Sequence, residues 1–125
     1  MAMTETRNHD PENLLPLSPQ VFHILLALAG GERHGYAIMQ DVTERSGGEV
    51  RMGPGTLYGA IKRLLERGVV VECEERPEPD EDDERRRYYG LTPFGREVLA
   101  AEARRLERMV TALRSAKLWP RAHPS

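Results

Sequence analysis

Apolar residues in this chain recur at two different periods, and the change from one to the other divides it. From Val21 to Ala29 the run VFHILLALA is apolar nearly all round, which predicts a helix at the centre of a core. Ser18 followed by Pro19 sets its start, with a capping hydroxyl and then a proline whose missing N–H costs nothing in a first turn. Gly30 and Gly31 end it. In HGYAIMQDVTERSGG, Tyr36, Met39 and Val42, with Ile38 beside them, recur at three- and four-residue spacing and predict a second, amphipathic helix closed by Gly47 and Gly48. A short turn over residues 47–52 leads into GPGTLYGAIKRLLERG, where Leu57, Ile61, Leu64 and Leu65 share one face of a third helix that ends at Gly68. The period then drops to two. VVVECEE and RRRYYGL are rich in β-branched and aromatic residues and predict two strands of a hairpin, with an acidic, proline-containing tip between them. Cys73 alternates with Val69 and Val71 and reads as a small apolar strand residue. Thr92 and Pro93 open a last helix expected to run to about Lys117, before Pro120.

This order of elements predicts a mainly α protein of the α+β winged-helix class. It is a three-helix winged helix-turn-helix with a two-stranded β wing and a long C-terminal helix. Residues 1–15 are polar and without sustained period, and are expected to form a flexible arm. Residues 16–92 make the winged domain, 93–118 the C-terminal helix and 119–125 a tail. With 125 residues and 39% hydrophobic composition there is enough for one core and not two.

Composition adds the environment. One cysteine leaves no internal disulfide or thiolate metal cluster and fits a reducing cytoplasm. The longest apolar run, Ile24 to Ala29, is far shorter than a membrane helix, and the start lacks a signal pattern, so a cytoplasmic protein without a membrane partner is expected. The net charge of −2 is unevenly spread: residues 74–84, EERPEPDEDDE, hold eight acids and one arginine, −7 in all, so the remainder carries +5. Outside one loop the chain is basic, as a nucleic-acid partner requires.

Candidate chemistry follows from the faces the core leaves free. On the third helix Thr56, Tyr58, Gly59, Lys62 and Arg63 lie away from the leucines, and Gly53, Pro54 and Gly55 keep its N-terminus free of bulk. Hydroxyls, cations and an approachable helix N-terminus suit phosphate and base-edge contact. Tyr58 has a second reading, as a ring packed on the domain. Arg85 and Arg86 start the second wing strand, where a DNA backbone passes in this fold. His34 and Tyr36 open the second helix, where either reaches a phosphate or simply caps and packs. In the last helix Leu99, Ala103, Leu106, Val110 and Leu113 are spaced four, three, four and three, a heptad seam that predicts a homodimer. The acidic run lacks the glycine turn and alternating acids of a calcium loop, and His23 has no cysteine or carboxylate one turn away, so no metal site is expected. Enzyme chemistry finds no inventory either: His9, His23, His34 and His123 are scattered, and Gly53 and Gly55 lack the P-loop lysine spacing. A winged-helix module that binds protein instead of DNA is the competing reading.

Three stretches taken in order, LLALAGGERHGYAIMQDV, GPGTLYGAIKRLLERGVV and RRRYYGLTPFGREVL, resemble the PadR family of bacterial transcriptional regulators over residues 14–118. The shared marks are HGY opening the second helix, GTLY opening the third, and the RRYY and LT-x-x-G segments closing the wing. The resemblance implies a homodimer on double-stranded operator DNA, usually a repressor, often released by a small molecule; no cofactor is expected. A small apolar effector is then expected between the last helix of one subunit and the first of the other, against Val21, Leu25, Leu106, Met109 and Trp119. The acidic wing tip departs from the family's shorter, more basic one.

Overall fold

Ser18 accepts a hydrogen bond from the Val21 N–H at 3.1 Å, and Pro19 follows it, so α1 (Pro19–Ala29) begins where a hydroxyl cap and a proline coincide. The computed structural model describes residues 10–73, 87–118 and 120. After α1 come β1 (Arg33–His34), α2 (Gly35–Arg45), α3 (Pro54–Glu66), β2 (Val70–Cys73), β3 (Tyr88–Leu91) and α4 (Pro93–Ser115). Ile24, Leu25, Ala27 and Leu28 of α1 are buried at the centre, against Ile38 and Val42 of α2, Leu57, Ile61 and Leu64 of α3, and Val98 of α4. No described helix is long and apolar enough to cross a membrane.

The wing has three strands where two were expected. β3 lies in the middle, antiparallel to β2 (Val70 opposite Leu91, Cys73 opposite Tyr88) and to β1 (Arg33 opposite Tyr89, His34 opposite Tyr88). Arg33 Nε donates to the Ala27 carbonyl at 2.9 Å and draws the segment after α1 alongside β3. Two residues are too few to show an alternation. The apolar face expected of Val69, Val71 and Cys73 is also different: Val69 and Val70 are buried, Val71 is 46% exposed and Cys73 half-buried. Gly68, at φ +75°, swings the chain out of α3 so that Val69, just before the strand, and Val70, its first residue, both reach the core.

Residues 10–15, counted with the flexible arm in the sequence, are tied down. A 3₁₀ turn spans Pro11–Leu14, and Leu14, Leu15 and Leu17 pack on the core. Their anchor is Glu102 of α4, 2% exposed, which accepts from the Leu17 N–H at 3.2 Å and from Arg105 Nε at 2.6 Å and Nη2 at 3.0 Å. The Arg105 hydrogen bond outweighs burial and, with the Leu17 amide, holds this carboxyl below the usual carboxylate range. A carboxyl with its folded pKa depressed adds stability above its unfolded pKa, and that stability is lost as pH falls through the folded value. Glu102→Gln is therefore expected to melt below wild type at neutral pH, with the gap closing under acid as the wild-type carboxyl protonates. Melting curves of both proteins across an acid titration check this, and a gap that stays constant would refute it.

Candidate nucleic-acid interface

The turn between α2 and α3 is built by its own side chains. Ser46 Oγ accepts from the Val50 N–H at 2.9 Å, and Gly47 and Gly48 take φ of +66° and +87°, conformations that cost other residues strain. The turn delivers α3 with Leu57, Ala60, Ile61 and Leu64 inward and Gly55, Thr56, Lys62 and Arg63 exposed. Gly59 lies partly open on the same outward face. Thr56 and Arg63 occupy one flank of this face and Tyr58 the opposite one, as the 3.6-residue turn requires.

The start of α3 differs from the other helix starts. Ser18, His34 and Thr92 cap α1, α2 and α4 with side-chain acceptors, whereas Gly53 gives α3 no side-chain cap. Gly55 and Thr56 are exposed there, so the first-turn amides and the positive end of the helix dipole face outward. Neither Lys62 nor Arg63 is in an ion pair with another described residue. An outward face with open amides, two cations and small residues can receive an anionic backbone at close range.

The other candidate residues for DNA contact that the structure describes lie on β1, α2 and α3. His34 caps α2, its Nδ1 accepting from the Ala37 N–H at 3.2 Å, and its ring stands edge-on to Tyr88 at 5.5 Å. Tyr36 does not join the apolar stripe of α2; it is 66% exposed, because its position in the first turn projects past the core. Tyr58 is half-buried and packed on the core, over Gly35. Burial first, then the charge of Glu72, holds the Tyr89 hydroxyl above the usual phenol range. Arg87 at the wing base is exposed and pairs with Glu72 at 3.4 Å. Arg85, Arg86 and the acidic segment 74–84 lie outside the described residues, as does Trp119.

Along α4 the fully buried residues are Gly95, Val98, Ala101 and Glu102, and among the described residues none beyond Glu102 is fully buried. Leu99 packs on the core, Leu106 and Val110 are half-covered, Ala103 is exposed, and Met109 and Leu113 are 50% and 41% exposed. Of the residues expected around an effector, Val21 and Leu25 border a groove of about 200 Å³, beside Leu14, Leu17, Arg63 and Arg67. Leu106 and Met109 do not line it. Arg67 is absent from the sequence-based set, although its position one turn beyond Arg63 was the available signal.

Three helices, a small sheet on their flank and an exposed third helix after a tight turn define a winged helix-turn-helix protein. Residues 24–101 match the model of the transcriptional regulator PadR-like family. The chain belongs to that family, and is a PadR-type transcriptional regulator. It is 37% identical over 87 residues to transcriptional regulator Rv3488 of Mycobacterium tuberculosis, covering 70% of this chain and 75% of that one. An uncharacterized 37.1 kDa protein in transposon TN4556 of Streptomyces fradiae is 43% identical over 86 residues. That match covers 69% of this chain, which spans only 22% of the length of that protein. The crystal structure of a PadR family transcription regulator from Clostridium difficile superimposes with a TM-score of 0.64, at 23% identity, covering 78% of this chain and 97% of that one, which shows the shared fold.

Proposed function

We propose that this regulator binds an inverted-repeat operator as a homodimer and represses transcription, with α3 of each subunit in a major groove. Gly55, Thr56, Gly59, Lys62 and Arg63 face the DNA in this reading, and Arg85, Arg86, His34 and Tyr36 flank it. The observation that carries it is Gly59. It stands in the interior of an otherwise well-formed helix, where glycine is less stable than alanine by roughly 0.5–1 kcal/mol. A β-carbon there would meet nothing nearer than the Arg63 guanidinium at 3.9 Å. The fold does not need this glycine, whereas a groove edge approaching the helix backbone does. Two-fold symmetry then sets half-sites about 10 bp apart, or a small multiple of that. A small apolar effector in the groove beside Val21 and Leu25 of α1 would press on Arg63 of α3 and on Arg67 at its C-cap and release the DNA.

Selection of duplexes from a random pool by the wild-type chain supplies the operator for the test. Gly59→Ala is expected to melt higher, by up to about 1 kcal/mol of stability, yet to bind the selected operator more weakly. Lys62→Ala is expected to weaken all sequences alike and to lower the salt dependence by about one phosphate contact. A wild-type protein that enriches no sequence would refute the proposal and leave the protein-binding reading.

A further inference from the structure

Gly35, the first residue of α2, is buried, and what fills the space beside it is the far end of the Tyr58 side chain. A β-carbon at residue 35 would overlap the Tyr58 hydroxyl oxygen and lie 2.7 Å from Cζ and 3.1 Å from Cε1. Such distances are well inside van der Waals contact. The seat itself is held from the other side. His34, one residue earlier, caps α2 through the Ala37 amide, pairs with Tyr88 in the sheet and stacks edge-on against the Tyr88 ring. The notch at Gly35 is thus fixed to the wing, and the Tyr58 ring is the rod that reaches it from α3. Tyr58 stands two residues after Thr56 and one helical turn before Lys62 on the helix that faces outward.

We infer that Tyr58 is a positioning residue, whose ring, seated in the Gly35 notch, sets the pose of α3 across α2 and the wing and so places Thr56, Gly59 and Lys62 on the DNA. The inference rests on the proposed role of α3 as the reading helix. It assigns Tyr58 no base of its own. The ring is already committed to packing, and the residues that meet the groove are those whose side chains or backbone are open. Tyr58 and Gly35 then act as one unit, each useless to the reader without the other, and substitutions at the two sites remove the same thing.

Four variants test this on the duplex selected by the full-length wild-type protein. Tyr58→Phe keeps the ring seated and is expected to retain affinity within about twofold and the same preferred sequence. Gly35→Ala evicts the ring and Tyr58→Leu removes it. Each is expected to weaken binding about tenfold, the lower end of what losing a supporting residue costs a site, across operator variants alike. The double variant is expected to be no worse than either single one, because coupled sites do not add. A Tyr58→Phe or Tyr58→Leu protein with a changed preference at one base pair, of the roughly fivefold or greater size of a lost base contact, would overturn the inference in favour of direct reading. So would a double variant about a hundredfold weaker, or a Gly35→Ala protein that binds as wild type does. Melting temperatures of the same four proteins give the cycle a readout independent of DNA. Were Gly35→Ala not to fold alone, its effect in the Tyr58→Leu background decides, with no added cost expected there. If the wild type enriches no duplex at all, the proposed function fails first and this inference with it. A non-additive melting cycle would then mark the Tyr58 seat as structural only.

Discussion

Leu113→Glu is expected to convert the protein from a particle of twice the 14.2 kDa chain mass to a single chain, and to weaken operator binding about 100-fold or more. The first part follows from how α4 is covered. A helix of 23 residues is about 34 Å long, and its fully buried positions end at Glu102, less than half way along. Leu106, Met109, Val110 and Leu113 continue the apolar stripe past the domain, and Leu118 beyond them is 70% exposed. In the proposed dimer a second copy of the same stripe covers it, through Ala103, Leu106, Val110 and Leu113 of the four-three repeat, while Leu99 at its start packs on the protomer's own core. A buried glutamate pair at that seam costs more than the leucines gave. The second part follows from linkage: two half-sites on one particle bind in effect intramolecularly, and that gain disappears with the dimer. Because Leu113 is 41% exposed in the protomer, the variant is expected to keep its helical content. Sedimentation equilibrium and a titration of the selected duplex measure the two effects. Wild type that sediments as a single chain at tens of micromolar, on the order expected for a specific interface, would remove the prediction.

What could be read from the sequence was what repeats or what has local chemistry. The Leu57, Ile61 and Leu64 face of α3 follows from helical period, and the caps at Ser18 and Thr92 follow from a hydroxyl placed before a proline. The outward face of α3 is the remainder of the same period, which is why most of the proposed interface was legible. The parts that were not legible depend on distant partners. Glu102 lies one turn past Val98, on the core side of the helix, but just ahead of the arginines at 104 and 105 it reads as one more solvated charge. Only the Leu17 amide, 85 residues away, and the Arg105 fork make its burial tolerable. β1 is two residues long and acquires its identity from β3. Tyr58 is ambiguous for a related reason. Its spacing puts it at the edge of the core face, and whether the ring turns in or out is decided by the absence of a side chain at Gly35, on another helix.

Gly95 presents the strictest of these distant conditions, and Gly95→Ala is expected to be the most damaging small substitution in the chain. Gly95 sits in the first turn of α4, buried, its N–H donating to Thr92 Oγ1 at 2.9 Å. A β-carbon there would run into the Val69 carbonyl oxygen, with the Val69 carbonyl carbon at 3.1 Å and Leu91 Cδ2 at 3.2 Å. That carbonyl is not free to yield. It accepts from the Thr92 N–H at 3.1 Å and from Thr92 Oγ1 at 3.1 Å, and the same hydroxyl is 2.6 Å from the Gly68 carbonyl, so the end of α3, the start of β2 and the cap of α4 are joined at one point. Relief requires α4 to back away from β2, which breaks the cap and opens the core at Val69 and Val98, both fully buried. Overpacking a core against side chains costs about 1–3 kcal/mol. Against hydrogen-bonded backbone the upper end applies, so about 3 kcal/mol is expected, a drop on the order of 15 °C in Tm for a domain of this size. Gly59→Ala, a change of the same single methyl on an open helix face, supplies the control with the opposite sign. Thermal unfolding of the two variants beside wild type decides the matter: a Gly95→Ala protein melting within a few degrees of wild type would mean that α4 is not held against the Val69 carbonyl as described.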